Sequence, residues 1–259
     1  MIKLVVSDVD GTLLPKNKSC ISSEMLELIH QLAKRKVLFA AASGRAYHDL
    51  KRLFEPVADQ MIFICLDGAL VLYQDEVLWG RPIEKNEVQS MIDQVWDRTK
   101  YQVLLYGTYL SYLKARTKEF ESQIWAASHH HVKMFETVDE IPEPVYKVAF
   151  YDKYCKEKSR FLSQAGSAYT NIYSDNGWHE YTLAGVNKGD AVSCLQKCCN
   201  IQPEETMAFG DNLNDIEMLQ KAKYKFAMIN GKFKVQSICQ QTIVSVEDTL
   251  KKMMKEMGR

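Results

Sequence analysis

The sequence predicts an α/β fold, an open parallel sheet flanked by helices, with a separate α+β segment inserted in it. Three observations carry that expectation. Short apolar runs alternate with amphipathic helical stretches at both ends of the chain. The alternation is interrupted between about residue 82 and residue 186. Polar residues able to do chemistry follow directly on the apolar runs, where open parallel sheets bind ligands at the carboxyl ends of their strands.

Taken in order, residues 2–7 read as a buried strand. Ser22 to Arg35 reads as a helix, with Met25, Leu26, Ile29 and Leu32 on one face. Residues 37–42 form the next apolar run, Ala46 to Phe54 the next helix, and Met61 to Leu66 a third short strand. This βαβαβ order implies parallel strands with right-handed crossovers. The pattern returns with a helix from Lys188 to about Asn200, a strand over 206–209, a helix from Asp215 to Lys223 and a strand from Lys225 to Met228.

The intervening stretch of about 100 residues has the length of a small domain. It predicts helices over Lys85–Thr99, Lys118–Ser128 and Cys155–Ala165. Its strands are expected over Tyr101–Tyr106, Tyr109–Lys114, Tyr146–Tyr151, Ala168–Ser174 and Trp178–Thr182. Pro82 and Ala184-Gly185 are the candidate hinges.

Composition excludes several classes. The 259 residues carry 33 Lys plus Arg against 33 Asp plus Glu, so no global basic field draws the chain to nucleic acid. No run approaches the roughly 18 apolar residues of a membrane span. Asp8 and Asp10 interrupt the first apolar run, which is therefore unlike a signal peptide. Seven scattered cysteines, an odd number, suit reduced thiols in a cytoplasm. Cys194, Cys198 and Cys199 lie at helical spacing, but no fourth ligand for zinc stands near them. His129, His130 and His131 cannot all grip one ion from a regular helix, so a solvated helix end is expected there.

Chemistry concentrates in four places. Asp8-Val9-Asp10-Gly11-Thr12 puts two carboxylates one residue apart after the first strand. Carboxylates that close need a cation or a shared proton. Asp8 then reads as a metal ligand and a nucleophile, the alternative being a turn in which Asp and Gly serve geometry alone. Ser43-Gly44-Arg45 places a hydroxyl and a flexible turn where a helix opens, a ready anion site. Lys188 follows Asn187 at another helix start. Gly210-Asp211-Asn212-Leu213-Asn214-Asp215 adds acidic and amide groups after another strand. A nucleophile, an acid/base, donors for phosphoryl oxygens and oxygen ligands for a hard cation are what phosphoryl transfer to a carboxylate requires.

These segments, in this order and over nearly the whole chain, resemble the haloacid dehalogenase superfamily. Within it they are similar to the Cof-type phosphatases, subfamily IIB with a type-2B cap. The resemblance implies a Rossmann-like core over residues 1–81 and 187–259 and an α+β cap over 82–186. It implies that Asp8 attacks a phosphate monoester to form an aspartyl-phosphate. Asp10 would protonate the leaving alcohol and later take a proton from water, its carbonyl also binding Mg²⁺. The proton on Asp10 would be favoured by partial burial beside another carboxylate. Ser43 would bind phosphoryl oxygens and Lys188 would offset charge. Asp8, Asp10 and Asp211 would hold the metal, with Asn214 and Asp215 as further ligands or as groups that orient them. Gly44, Arg45, Asp67 and Gly68 would lie on the substrate side.

Cof-type enzymes usually carry Asn-Gly-Ala where this chain has Asp67-Gly68-Ala69. An anion there repels a phosphate unless it faces a cation or a donor-rich sugar. Asn230, in a turn similar to the family's Ala-Met-Gly-Asn-Ala, is a further contact candidate. Sugar phosphates are the expected substrates, with pyridoxal phosphate or flavin mononucleotide as alternatives. A sugar phosphomutase gripping its substrate through Lys114 and Arg116 is the second reading, and a phosphometabolite-binding protein without turnover the third. Tyr106, Tyr112, His129, Trp178, His179 and Glu180 are the cap's candidates for choosing the substrate, though its aromatics are more often core.

Overall fold

A computed structural model describes every residue except 97–100, 153–167, 176 and 258–259. The chain divides into two compact units, Met1–Trp79 with Asn187–Arg259, and Gly80–Val186.

The chain starts with β1 (Leu4–Asp8), α1 (Ser23–Lys34), β2 (Leu38–Ala42), α2 (Tyr47–Leu53), β3 (Ile62–Cys65), β4 (Leu70–Tyr73) and β5 (Glu76–Gly80). Every residue of β1 is buried, as a strand with neighbours on both sides requires. The Ser22 hydroxyl starts α1 by accepting the Met25 N–H at 3.0 Å. Met25, Leu28, Ile29 and Leu32 then form the buried stripe of that helix.

The strands β4 and β5 have no counterpart in the sequence expectation, and β4 runs antiparallel to β3. Two backbone reversals produce them. Leu66, Asp67 and Gly68 all have positive φ (53°, 57° and 100°), and so do Gln74 and Asp75 (51° and 64°). The second pair is the two-residue left-handed turn that suits a hairpin. The first reversal holds the Asp67-Gly68 pair, but the hairpin turn at Gln74-Asp75 has neither Asn-Gly nor Asp-Gly, which is why periodicity alone passes over it.

The second unit contains α3 (Lys85–Trp96), β6 (Gln102–Tyr106), β7 (Ser111–Lys114), α4 (Lys118–Ala127), β8 (Val132–Met134), β9 (Lys147–Tyr151), β10 (Tyr169–Asp175) and β11 (Trp178–Leu183). Its six strands are ordered β10-β11-β9-β6-β7-β8. All neighbours are antiparallel except β7 and β8. The short β8 is an addition to the expected set. One sheet face packs Val103, Leu105, Val148, Phe150 and Tyr181 against Val88, Met91, Ile92 and Val95 of α3. The other gathers Leu104, Leu113, Ala149 and Phe120 of α4. The helix expected over Cys155–Ala165 lies outside the described residues.

The chain returns with α5 (Lys188–Cys198), β12 (Thr206–Gly210), α6 (Ile216–Gln220), β13 (Tyr224–Met228), α7 (Phe233–Gln236), β14 (Gln241–Ile243) and α8 (Val246–Met257). The sheet of the larger unit is ordered β14-β13-β12-β1-β2-β3-β4-β5. From β14 to β3 all neighbours are parallel. The carboxyl ends of β1, β2, β3 and β12 therefore share one edge, and they deliver Asp8, Ser43, Asp67 and Asp211. Among the described residues, no helix is long and apolar enough to cross a membrane.

Candidate active site

Asp8 ends β1 and is 5% exposed. Lys188 opens α5, 1% exposed, because the Asn187 side chain caps that helix by accepting the Asp190 N–H at 2.9 Å. The Lys188 ammonium donates to Asp8 Oδ1 at 2.6 Å and to Asp215 Oδ1 at 2.8 Å. Burial alone would drive a proton off this lysine. Asp215, Asp8 and Asp67 together outweigh that and hold the ammonium well above the ordinary lysine range.

Asp215 is fully buried, and its Oδ2 accepts the backbone N–H groups of Asp211 and Asn212 at 3.0 and 2.9 Å. With both oxygens already engaged, Asp215 is built to hold the 211–215 turn and Lys188. The Asp211 carboxylate accepts the Thr12 hydroxyl at 3.2 Å. It lies so close to Gly11 that a Cβ there would sit 2.5 Å from Asp211 Oδ2. Gly11, at φ 97°, is thus required twice, for the turn and for the approach of Asp211. Thr12, quoted within the first motif without a role, is the contact that sequence reasoning missed. Asn230 also enters the region, its side-chain amide donating to the Gly11 carbonyl at 3.2 Å.

Oxygens of Asp8, Asp211 and Asp215 all fall within 4.8 Å of one another, a grouping able to hold a metal ion. The donor set suits a hard divalent cation, since every candidate ligand atom is a carboxylate oxygen. A second observation fits the same group: Asp8 Oδ2 is buried and receives no hydrogen bond. Burial pushes the Asp8 carboxyl up to about 8, with Lys188 opposing and Asp215 adding to the rise. Asp211 is raised too, by burial and then by Asp215. Three crowded carboxylates facing one ammonium are what a bound dication would relieve.

Asp10 departs from expectation. Partial burial beside a carboxylate was expected, yet its side chain is 49% exposed and is gripped by a guanidinium. Arg45 donates to Asp10 Oδ2 through Nε at 2.9 Å and to Oδ1 through Nη2 at 2.6 Å. The Ser43 hydroxyl donates to Oδ2 at 3.3 Å and accepts the Arg45 N–H at 3.2 Å. The physical reason lies in the turn at Gly11, which carries the chain away from the buried strand just after Asp10.

Asp67 also comes to this edge. Its N–H donates to the Ser43 carbonyl at 3.0 Å, and its Oδ1 accepts the Asn214 amide at 3.1 Å. A Cβ on Gly44 would lie 2.8 Å from Asp67 Oδ2. A Cβ on Gly68 would lie 2.3 Å from the Asn187 carbonyl. Both glycines are therefore spacers that let neighbouring loops touch.

Candidates in the second unit are occupied with its own packing. Arg116 and Lys114 lie over the Trp96 ring, 3.9 and 4.9 Å from its centroid. The Tyr112 hydroxyl donates to Glu143 at 2.7 Å. Lys147, buried beneath the Tyr106 ring, pairs with Glu180 at 2.7 Å. Trp178 packs on Tyr151 and Phe120, and His179 sets its ring edge-on to Tyr101. His129 and His130 follow the end of α4 in left-handed conformation, His130 against Trp125. Cys194 and Cys198 share a face of α5 with sulfurs 3.9 Å apart. Among the described residues, only the aspartate trio groups three metal-capable side chains of the His, Cys and carboxylate kinds.

Buried carboxylates, one ammonium and a helix start at the carboxyl edge of a parallel sheet define a hydrolase-type site of the α/β class. A sequence profile of haloacid dehalogenase-like hydrolases matches residues 5–249. The chain belongs to that family. Among its relatives is a 5-amino-6-(5-phospho-D-ribitylamino)uracil phosphatase of Escherichia coli, 24% identical over 89% of this chain and 86% of the relative. A haloacid dehalogenase-like hydrolase from Bacteroides thetaiotaomicron superposes with a TM-score of 0.85 at 18% identity, covering 98% of this chain and 100% of the other. A subclass IIB sugar phosphatase superposes at 0.74 with 20% identity, covering 99% of each chain. The Cof-type resemblance read from the motifs holds, and the protein is an enzyme of the phosphatase kind.

Proposed function

We propose that this protein is a Mg²⁺-dependent phosphatase of small phosphorylated metabolites, with sugar phosphates as the favoured class. Its phosphoryl group is taken up by Asp8. The observation that carries the reading is the meeting of three remote segments: Lys188 pairs with Asp8 and Asp215, and oxygens of Asp8, Asp211 and Asp215 lie within 4.8 Å of one another.

Asp8, ionised, attacks phosphorus in line and holds the phosphoryl group as an aspartyl-phosphate. Lys188 neutralises charge gathering on the phosphoryl oxygens and keeps Asp8 oriented. Ser43 Oγ and backbone N–H groups following Asp8 bind those oxygens. Asp10, taking up a proton as bound substrate draws the Arg45 guanidinium away from it, hands that proton to the leaving alcohol; as a carboxylate it then removes one from the water that cleaves the aspartyl-phosphate and frees phosphate. In the resting enzyme Arg45 and Ser43 fix where the Asp10 carboxylate points. Asp8, Asp211 and the Asp10 carbonyl would hold Mg²⁺, with Asp215 and Asn214 orienting that set. Bound there, the ion supplies charge stabilisation for phosphoryl oxygens and lets Asp8 stay ionised at neutral pH. Residues 82–186 would act as the cap. Relatives named for a phosphoribitylamino-uracil and for sugar phosphates support a polyol-bearing substrate. Free thiols at all six described cysteines agree with a reducing, cytoplasmic setting.

The test is phosphate release from a panel of phosphorylated metabolites, with Mg²⁺ and with chelator. Turnover should require the metal and disappear in Asp8→Asn. A panel wholly without Mg²⁺-dependent release would reject the assignment.

A further inference from the structure

The loop between β13 and α7, residues 229–232, serves none of the steps above, yet it touches both segments that carry the acidic cluster. Asn230 donates its side-chain amide to the Gly11 carbonyl at 3.2 Å. Two residues on, the Lys232 N–H donates to the Asp211 carbonyl at 2.8 Å. Gly231 lies between these ties. A Cβ on it would sit 2.9 Å from the carbonyl oxygens of Asp211 and Met228 and 3.0 Å from Asp211 Cα. The loop therefore rests directly on the Asp211 backbone. Apolar burial does not hold it there, because Ile229 and Phe233 at its ends are 62% and 84% exposed. Polar ties fix its shape instead. Gln236 turns its side-chain amide to the carbonyls of Ile229, Gly231 and Met228 at 3.0, 3.2 and 3.3 Å. The Gly231 N–H closes a turn on the Met228 carbonyl at 2.9 Å.

Contacts on the other side of Asp211 complete a ring. The Thr12 hydroxyl donates to Asp211 Oδ1, Gly11 leaves no space for a Cβ beside Asp211 Oδ2, and Asn230 leads back to Gly11. Three remote segments, 11–12, 211 and 230–232, thus close on one another. The spacing between Asp211 and the turn that follows Asp8 is set where this ring closes. A metal site tolerates only about 0.2 Å of error in its ligand distances. Groups that orient ligands from outside therefore govern affinity without touching the ion. Gly231 is the most sensitive point of the ring, because an added methyl meets backbone atoms on both sides and one of the two is the Asp211 carbonyl.

We propose that the 229–232 loop is a clasp that sets how tightly the site holds Mg²⁺. Gly231 and Asn230 are its positioning residues: they keep Asp211 against the Gly11 turn and ligate nothing themselves. The inference rests on the reading of Asp8 and Asp211 as Mg²⁺ ligands. It adds which residues outside the ligand set govern the affinity of the same site.

The test is calorimetric melting of the full chain at a series of Mg²⁺ concentrations. For a given rise in the melting temperature of the larger unit, Gly231→Ala should need about tenfold more Mg²⁺ than the wild type. Asn230→Ala removes one partly buried hydrogen bond and should need about threefold more. Its exposed surroundings keep the test open if Gly231→Ala folds poorly. Release of phosphate from p-nitrophenyl phosphate should show the same increases in the Mg²⁺ concentration for half-maximal rate, with the loss recovered at saturating Mg²⁺. Phe233→Ala, beside the loop but keeping both ties, should titrate as the wild type does. Wild-type Mg²⁺ dependence in both loop variants, whether or not their metal-free melting falls, would overturn the inference and leave the metal reading standing. A loss confined to kcat at saturating Mg²⁺ would overturn it as well. A wild-type chain whose melting ignores Mg²⁺ would remove the metal reading itself, and the inference with it.

Discussion

Lys188 carries the charge balance of the site, because one buried ammonium faces Asp8 and Asp215 at 2.6 and 2.8 Å. Lys188→Met should leave two buried carboxylates without their cation and destabilise the larger unit by about 3–5 kcal/mol, read by denaturant unfolding. Asp8→Asn should lower phosphate release by more than about a thousandfold, measured at saturating Mg²⁺. Retained circular dichroism would separate that loss from misfolding. At this scale the candidate residues were legible because each follows an apolar run and bears a group with few other uses. What the sequence could not reveal was the partner each one takes. Asp10 and Asp8 are two positions apart, yet one is paired with Arg45 in half-exposed surroundings and the other is buried on Lys188. Side-chain partners across 35 or 180 positions of sequence separation leave no periodic trace.

Elements differ in how clearly they were written. The helix α1 declared itself through its apolar stripe and its serine cap, whereas β4 and β5 depend on left-handed residues that no local rule demanded. The helix α8 carries the same kind of signal, with Val246, Leu250, Met253 and Met254 buried on one side. Within the second unit, β11 supplies a pH-sensitive residue. Burial holds the His179 imidazole below its ordinary 6.5, with Asp152 pulling the other way. The unfolded chain therefore binds this proton first. The stability owed to neutral His179 is complete above pH 6.5 and declines as pH falls from there towards the lower folded value. Unfolding of the second unit followed between pH 7.5 and pH 5 should lose part of its slope in His179→Gln. An unchanged slope would place the sensitivity elsewhere.

For the whole molecule, two compact units mean that a single melting temperature is not expected to describe it. Magnesium is expected to stabilise only the unit that holds Asp8 and Asp211. At one hundred times its dissociation constant the gain should be about 2.7 kcal/mol. Calorimetry with and without chelator should show one transition move and the other stay. Asp211→Asn should abolish the movement. If both transitions shifted equally in that variant, the metal would be acting elsewhere.

The α/β class, the crossover order at both ends of the chain and the identity of the acidic, basic and hydroxyl groups were determined by sequence alone. Local rules suffice for these, because strand burial and helix periodicity are written in neighbouring residues. Tertiary structure alone decided the antiparallel edge of the sheet, the clamp of Arg45 on Asp10, and the approach of Asp211 to Gly11 and of Asp67 to Gly44. Each of these depends on how closely two distant stretches of backbone pack, and packing distance is a property of the folded chain.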